Sequence, residues 1–431
     1  MTSPFHMNTK IPIGKSPYSA PLAILTSLFF IWGFITCLND ILIPHLKAVF
    51  TLNYTQAMLI QFCFFAAYFV MSVPSGLLVE KTGYKGGIVI GLSVAGTGCL
   101  LFYPAAGLHS YPLFLGAFFV LASGITLLQV AANPYVTVLG TPDSASSRLT
   151  MTQAFNSLGT TLAPYFGALL ILSTAVNSAE ELKQLNAEQL SVYQAAQASA
   201  VQIPYLFLAA VLFLMAAVFA VLRLPKIEAA KPQNTLAEGV AVKSAWQYPH
   251  LVLGALAIFL YVGGEVAIGS FMVNFLGEAN IANLPEQQAG KYVSFYWGGA
   301  MVGRFAGALV MRKFNPALVL TCHAVMAGLL VLVAILGSGG LAMWSLLSVG
   351  LCNSIMFPTI FSLALTGLGE HTGQGSGILC MAIVGGAIVP VLQGMLADQF
   401  SIQGALIVPV ICYIYIGFYA WRSVNWLVAY E

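Results

Sequence analysis

The stretch GLLVEKTGYKGG, residues 76–87, decides the fold. It places Glu80, Lys81 and Lys85 in a short loop between two apolar blocks, near 56–79 and 86–106. Each block is about 20 residues long, the length that spans a hydrocarbon core about 30 Å thick. The spacing is Gly-x-x-x-acid-base-x-Gly-x-base, on Gly76, Glu80, Lys81, Gly83 and Lys85. Gly76 lets two helices approach. Glu80 can pair with Lys81, with Lys85 or with a neighbouring helix end. Such a charged turn can hold one conformation of a rocking bundle.

Outward from this turn the same pattern repeats. Apolar blocks lie near 21–45, 56–79, 86–106, 112–139, 149–173 and 202–223. They resume near 250–276, 290–311, 317–338, 341–367, 375–397 and 403–427. The composition agrees: 59% of the 431 residues are hydrophobic and 7% are charged. Soluble chains carry roughly 25% charged residues, so a water-facing surface is excluded. No basic run exceeds two residues, which leaves a nucleic-acid partner without support. The seven cysteines form no CxxC pair and read as buried free thiols.

The sequence therefore predicts an all-α integral membrane protein with twelve transmembrane helices in two six-helix halves. Residues 1–20 are a polar N-terminal segment, 21–223 the first half, 224–249 a linker and 250–431 the second half. The block near 21–45 lacks a small-residue cleavage site and reads as a retained span. Twelve of the sixteen Lys and Arg fall on one side of this topology. Lys47, Lys183 and Lys291 fall on the other, and Arg304 lies inside a span. That bias predicts cytoplasmic termini and linker. GTTLAPYFGALL (159–170) matches GGAIVPVLQGML (385–396) in the placement of Gly and Pro, which points to a repeated unit with a pathway between the halves.

Polar residues inside the spans are the candidate site. An ionised carboxylate costs about 2.5 kcal/mol or more near a bilayer centre, so each needs a reason. In TCLNDILIPHL (36–46), Asn39 and Asp40 share roughly one helix face with Trp32. Gln61, Gln129, Asn133, Gln153 and Asn156 complete the set in the first half. Converging amides, a carboxylate and an aromatic suit a sugar, whose hydroxyls take amides and acids and whose apolar face takes a ring. The bland alternative is hydrogen bonding between helices. The second half offers Glu265, Asn274, Trp297, Asn353, Phe357 and Gln393 as an opposite wall. For Glu265 the structural alternative is a salt bridge to Arg304. Gly299, Gly303 and Gly307 form a packing stripe beside Arg304.

The Gly76–Lys85 loop resembles the signature loop of the major facilitator superfamily. Its counterpart GALVMRKFNP keeps Gly307, Arg312 and Lys313 but lacks the acid, so Arg312 belongs to a weaker second lock. LNDILIPHLKAVF, AANPYVTVLG, TQAFNSLG, MFPTIFSLAL and GSGILCMAIVGGAIVP together resemble the fucose/galactose/glucose–cation symporter family of that superfamily, most strongly its bacterial glucose/galactose transporters. The resemblance implies a major facilitator fold, no cofactor, and uptake of a hexose such as glucose, galactose, fucose or mannose across a bacterial inner membrane. It also implies a functional monomer. In the fucose–proton members the acid matching Asp40 and a helix 4 Glu are linked to coupling. Here Gln129 fills the latter slot, while Glu265 stands where those members have Gln.

Two coupling schemes stay open. Asp40 and Glu265 titrate and carry H⁺, or Asp40 stays ionised and holds Na⁺ with oxygens from Asn39, Gln129, Asn133 or Asn156. Amide oxygens around a carboxylate favour Na⁺. A drug or metabolite antiporter of the same fold needs a larger, more apolar cavity. A non-transporting sugar sensor is the other rival, and no signalling domain is attached. No HExxH or nucleophile elbow marks an enzyme.

Overall fold

The computed structural model describes residues 19–49, 54–170, 186–222 and 244–429. Within them the chain is helical, as it must be where no water satisfies the backbone. The first rod is α1 (Ser19–Val49). A continuous helix over Tyr54–Gly107 would be about 80 Å long, far beyond a bilayer core. The chain instead breaks at Gly83, with φ 74° and ψ 168°, a left-handed conformation that favours glycine. The break makes α2 (54–82) and α3 (84–107). Then follow α4 (Tyr111–Val138), α5 (Ala145–Leu170) and α6 (Ala187–Val221).

The second half holds α7 (Pro249–Gly277), α8 (Glu286–Val310) and α9 (Pro316–Leu336). The rods α10 (Gly339–Ala364), α11 (Gly369–Gln399) and α12 (Ile402–Val424) complete it. All three are interrupted, α12 by a turn at Leu406. In α10 helical geometry lapses between Asn353 and Met356, and α11 passes through a 3₁₀ turn at Ala382–Val384. Such breaks release carbonyl groups for side chains to use.

One boundary differs clearly from the sequence expectation. The sixth helix, expected to begin near 202, begins at Ala187. Asn186 and Gln189 form a reciprocal capping box there, the Asn186 side chain accepting from Gln189 N at 2.8 Å. The polar turns that follow carry the helix beyond its apolar span, which starts at Val201.

The internal repeat is visible in packing. A side-chain carbon at Gly159 of α5 would collide with the carbonyl of Phe30 on α1. One at Gly385 of α11 would collide with the carbonyl of Phe259 on α7. Equivalent helices in the two halves thus meet through an equivalent glycine-to-phenylalanine contact. Gly299, Gly303 and Gly307 lie against Leu351, Ser354 and Ile355 of α10.

The halves meet through α2 with α11 and α5 with α8. At the end that carries the Glu80 turn they are pinned together. Ser146 and Ser362 hydroxyls lie 2.6 Å apart, and Ser147 donates to the Ala308 carbonyl. Higher up, Phe155 and Phe305 meet edge to face at 5.7 Å.

Candidate functional site

The turn that fixed the fold is one working part. Glu80 accepts from Gln374 N at 3.2 Å and from Gln374 Nε2 at 3.1 Å, in the first turn of the α11 helix. Unpaired amides and the positive end of the dipole favour a carboxylate there. Gly76 packs against Gly373, next to Gln374. Lys85 donates to the Ala220 carbonyl at the end of α6. Lys81 is exposed, and Arg312 is exposed in the turn between α8 and α9.

The first-half amides among the described residues are buried or half-buried and mostly tied locally. Gln129 Nε2 donates to Tyr68 Oη at 2.9 Å, and the Cys380 thiol approaches Gln129 Oε1 at 3.8 Å from across the interface. Gln153 Nε2 donates to Asn133 Oδ1 at 3.3 Å. Asn133 Nδ2 is buried and has no protein partner. Asn156 Nδ2 donates to the Phe29 carbonyl of α1 at 2.9 Å. Trp32 is 6% exposed and packs inside the first half with Leu92, Ile125 and Leu212. The side chains of Asn39, Asp40 and Gln61 lie outside the described residues.

The second-half set closes around Glu265. Tyr261, one turn earlier on α7, holds its hydroxyl 2.7 Å from Glu265 Oε1 and 3.2 Å from the Asn353 carbonyl. That carbonyl sits at the break in α10. Asn353 is fully buried, and both polar atoms of its amide are bonded. Its Nδ2 donates to Tyr296 Oη at 2.8 Å, and its Oδ1 accepts from Tyr413 Oη at 2.8 Å. Tyr296 in turn donates to the Glu265 backbone carbonyl at 3.3 Å. Three tyrosines and one amide thus link α7, α8, α10 and α12 around one carboxylate.

Glu265 makes no ion pair with Arg304, against the structural alternative drawn from the sequence. The break in α10 explains this. Arg304 Nε donates to the freed Ser354 carbonyl at 3.1 Å, and the guanidinium donates across the interface to Ser157 Oγ on α5.

The remaining wall residues are dispersed. Phe357 stacks on Phe361 at 5.7 Å, and Asn274 is exposed. Trp297 is 45% exposed beside Tyr296. Gln393 is fully buried, and neither polar atom of its amide has a protein partner. Buried polar atoms without partners are rare and mark places where a hydroxyl or a water fits. Among the described residues no group of three His, Cys, Asp or Glu is placed to hold a metal.

Sequence reasoning did not find Tyr68, Tyr261, Tyr296, Tyr413, Ser157 or Cys380. Tyrosine passes as an apolar residue in hydropathy. The one signal was spacing, since Tyr261 precedes Glu265 by four residues on a helix face.

The family model of the Major Facilitator Superfamily matches residues 24–383. A glucose/galactose transporter of Brucella abortus is 57% identical over 418 residues, covering 97% of this chain and 96% of that protein. An L-fucose-proton symporter of Escherichia coli is 36% identical over 411 residues, covering 94% and 93%. The crystal structure of the Major Facilitator Superfamily transporter FucP in the outward conformation superposes with a TM-score of 0.88. It is 35% identical and covers 94% of this chain and 99% of that one.

Proposed function

The chain belongs to the Major Facilitator Superfamily, and from that premise we propose that it is a sugar–cation symporter importing a hexose, glucose or galactose, by alternating access. The observation that carries the reading is the hydrogen-bonded ring that Glu265 forms with Tyr261, Asn353 and Tyr296, to which Tyr413 is joined through Asn353. A membrane-embedded carboxylate held by a tyrosine hydroxyl, in a bundle pinned at one end, is what a coupled carrier needs. With the basic turns in the cytoplasm of a bacterium, the pinned end is cytoplasmic and the described state faces outward. The working unit is a single chain, and no cofactor is needed.

Asp40 is the first-half acid of this scheme. Rocking of the halves breaks the contacts of Glu80 with Gln374 and of Ser146 with Ser362, and opens the cytoplasmic side. Na⁺ at Asp40 is favoured by the amide oxygens carried on helices α4 and α5. H⁺ is favoured by the proton-symporter relative.

Purified protein in proteoliposomes tests this. Galactose and glucose should accumulate against their gradients when an inward Na⁺ or H⁺ gradient is imposed. Uptake driven by Na⁺ at constant pH selects the first ion, and uptake that ignores Na⁺ selects the second. Equilibration of sugar under both gradients, with no accumulation, would refute symport.

A further inference from the structure

On the lipid-facing side of the second half, α9 and α12 leave a groove of about 460 Å³. Its exposed walls are Val325, Leu329, Ile414, Phe418 and Trp421, all apolar. Small residues hollow it out: Ala324 faces Gly417, and Gly328 faces Tyr413. The groove runs from Thr321 to Leu332 on α9. At 1.5 Å per residue that is about 16 Å, the depth of one leaflet of a core about 30 Å thick.

The foot of the groove is basic. Arg422 follows Trp421 on α12, and Arg312 and Lys313 occupy the turn that leads into α9. All three are exposed. The antiparallel register set by Ala324–Gly417 and Gly328–Tyr413 brings Arg422 to the level of the first turns of α9. An apolar channel one leaflet deep, ending in three cations beside an interfacial Trp, matches one acyl chain under a negative headgroup.

We propose that this groove binds an anionic glycerophospholipid of the leaflet at the basic end, with an acyl chain along α9 and α12 and the phosphate at Arg312, Lys313 and Arg422. The chain lies against Tyr413, whose hydroxyl is bonded to Asn353 beside Glu265. The site is independent of which sugar or ion is carried, since it is read by binding alone.

Trp421 reports on it. The full chain in phosphatidylcholine nanodiscs is titrated with brominated phosphatidylglycerol or with brominated phosphatidylcholine. Trp421 quenching is taken as the difference between wild type and Trp421→Phe. Phosphatidylglycerol should quench at a lower mole fraction, by about fivefold for each cation that engages the headgroup. Lys313→Gln and Arg422→Gln, each first shown to keep the wild-type melting temperature, should together remove the preference. Equal quenching by the two lipids, or a preference unchanged in the double variant, would overturn the site and leave only ordinary boundary lipid.

Discussion

The two halves repeat one architecture but handle buried polarity in opposite ways. In the first half, amides are settled in small local pairs: Gln153 with Asn133, Gln129 with Tyr68, Asn156 with a backbone carbonyl. In the second half, one carboxylate gathers a connected network from four helices. The difference follows from chemistry. An amide brings both a donor and an acceptor, so one or two neighbours satisfy it. A carboxylate brings only acceptors and has to recruit donors. The Tyr261 hydroxyl supplies one at low cost to a bilayer-embedded fold, because its ring remains apolar. The first half thus settles its described amides pairwise, and the second joins four helices around one charge.

The sharpest way to break this contrast is at the acids. We expect Asp40→Asn to abolish concentrative uptake while equilibrative entry survives, measured as accumulation ratio against counterflow in proteoliposomes. Wild-type accumulation by that variant would leave Glu265 as the sole coupling acid. Glu265→Gln comes next. It keeps the shape of the network and removes its charge, and hydrogen bonds to charged groups contribute about 1.5–3 kcal/mol. Concentrative uptake should fall by about tenfold or more, with sugar binding reduced less than coupling. Unchanged accumulation would make the second-half network a packing device.

Tyr261→Phe removes one donor from Glu265 Oε1 and leaves the ring in place. A neutral donor to a carboxylate should be worth about 1.5 kcal/mol, or about tenfold in the affinity of the coupled step. It should be read as a shift in the ion concentration for half-maximal uptake. A change in thermal stability with no shift in ion dependence would assign Tyr261 to packing.

Much of this was legible before any coordinates. Twelve apolar blocks, the Gly76–Lys85 turn and the Gly159/Gly385 repeat follow from hydropathy and glycine placement, because a bilayer allows so few solutions. Glu265 stood out as a charge in an apolar run. What was not legible was connectivity. Whether Arg304 meets Glu265 or Ser157 depends on the lapse of helix at residues 354–355, which frees one carbonyl. Pro358 in SIMFP (354–358) marks that lapse, since it has no N–H for the Ser354 carbonyl four residues before it, but nothing in the sequence says which donor takes that carbonyl. The tyrosines were hidden for a different reason: hydropathy counts their rings and ignores their hydroxyls.

The smallest expected effect lies furthest from the charge. Tyr413 touches Glu265 only through Asn353, so Tyr413→Phe removes a bond two steps away. Interhelical hydrogen bonds in membranes average about 0.6 kcal/mol, which corresponds to about threefold. Ion dependence should shift by no more than that, against about tenfold for Tyr261→Phe. The gradient between the two variants is the informative quantity. If the network acts as a connected unit, the double variant should fall short of the product of the single effects, because both changes loosen the same Asn353. If the effects multiply, Tyr413 acts on α12 packing alone, and the network around Glu265 ends at Asn353.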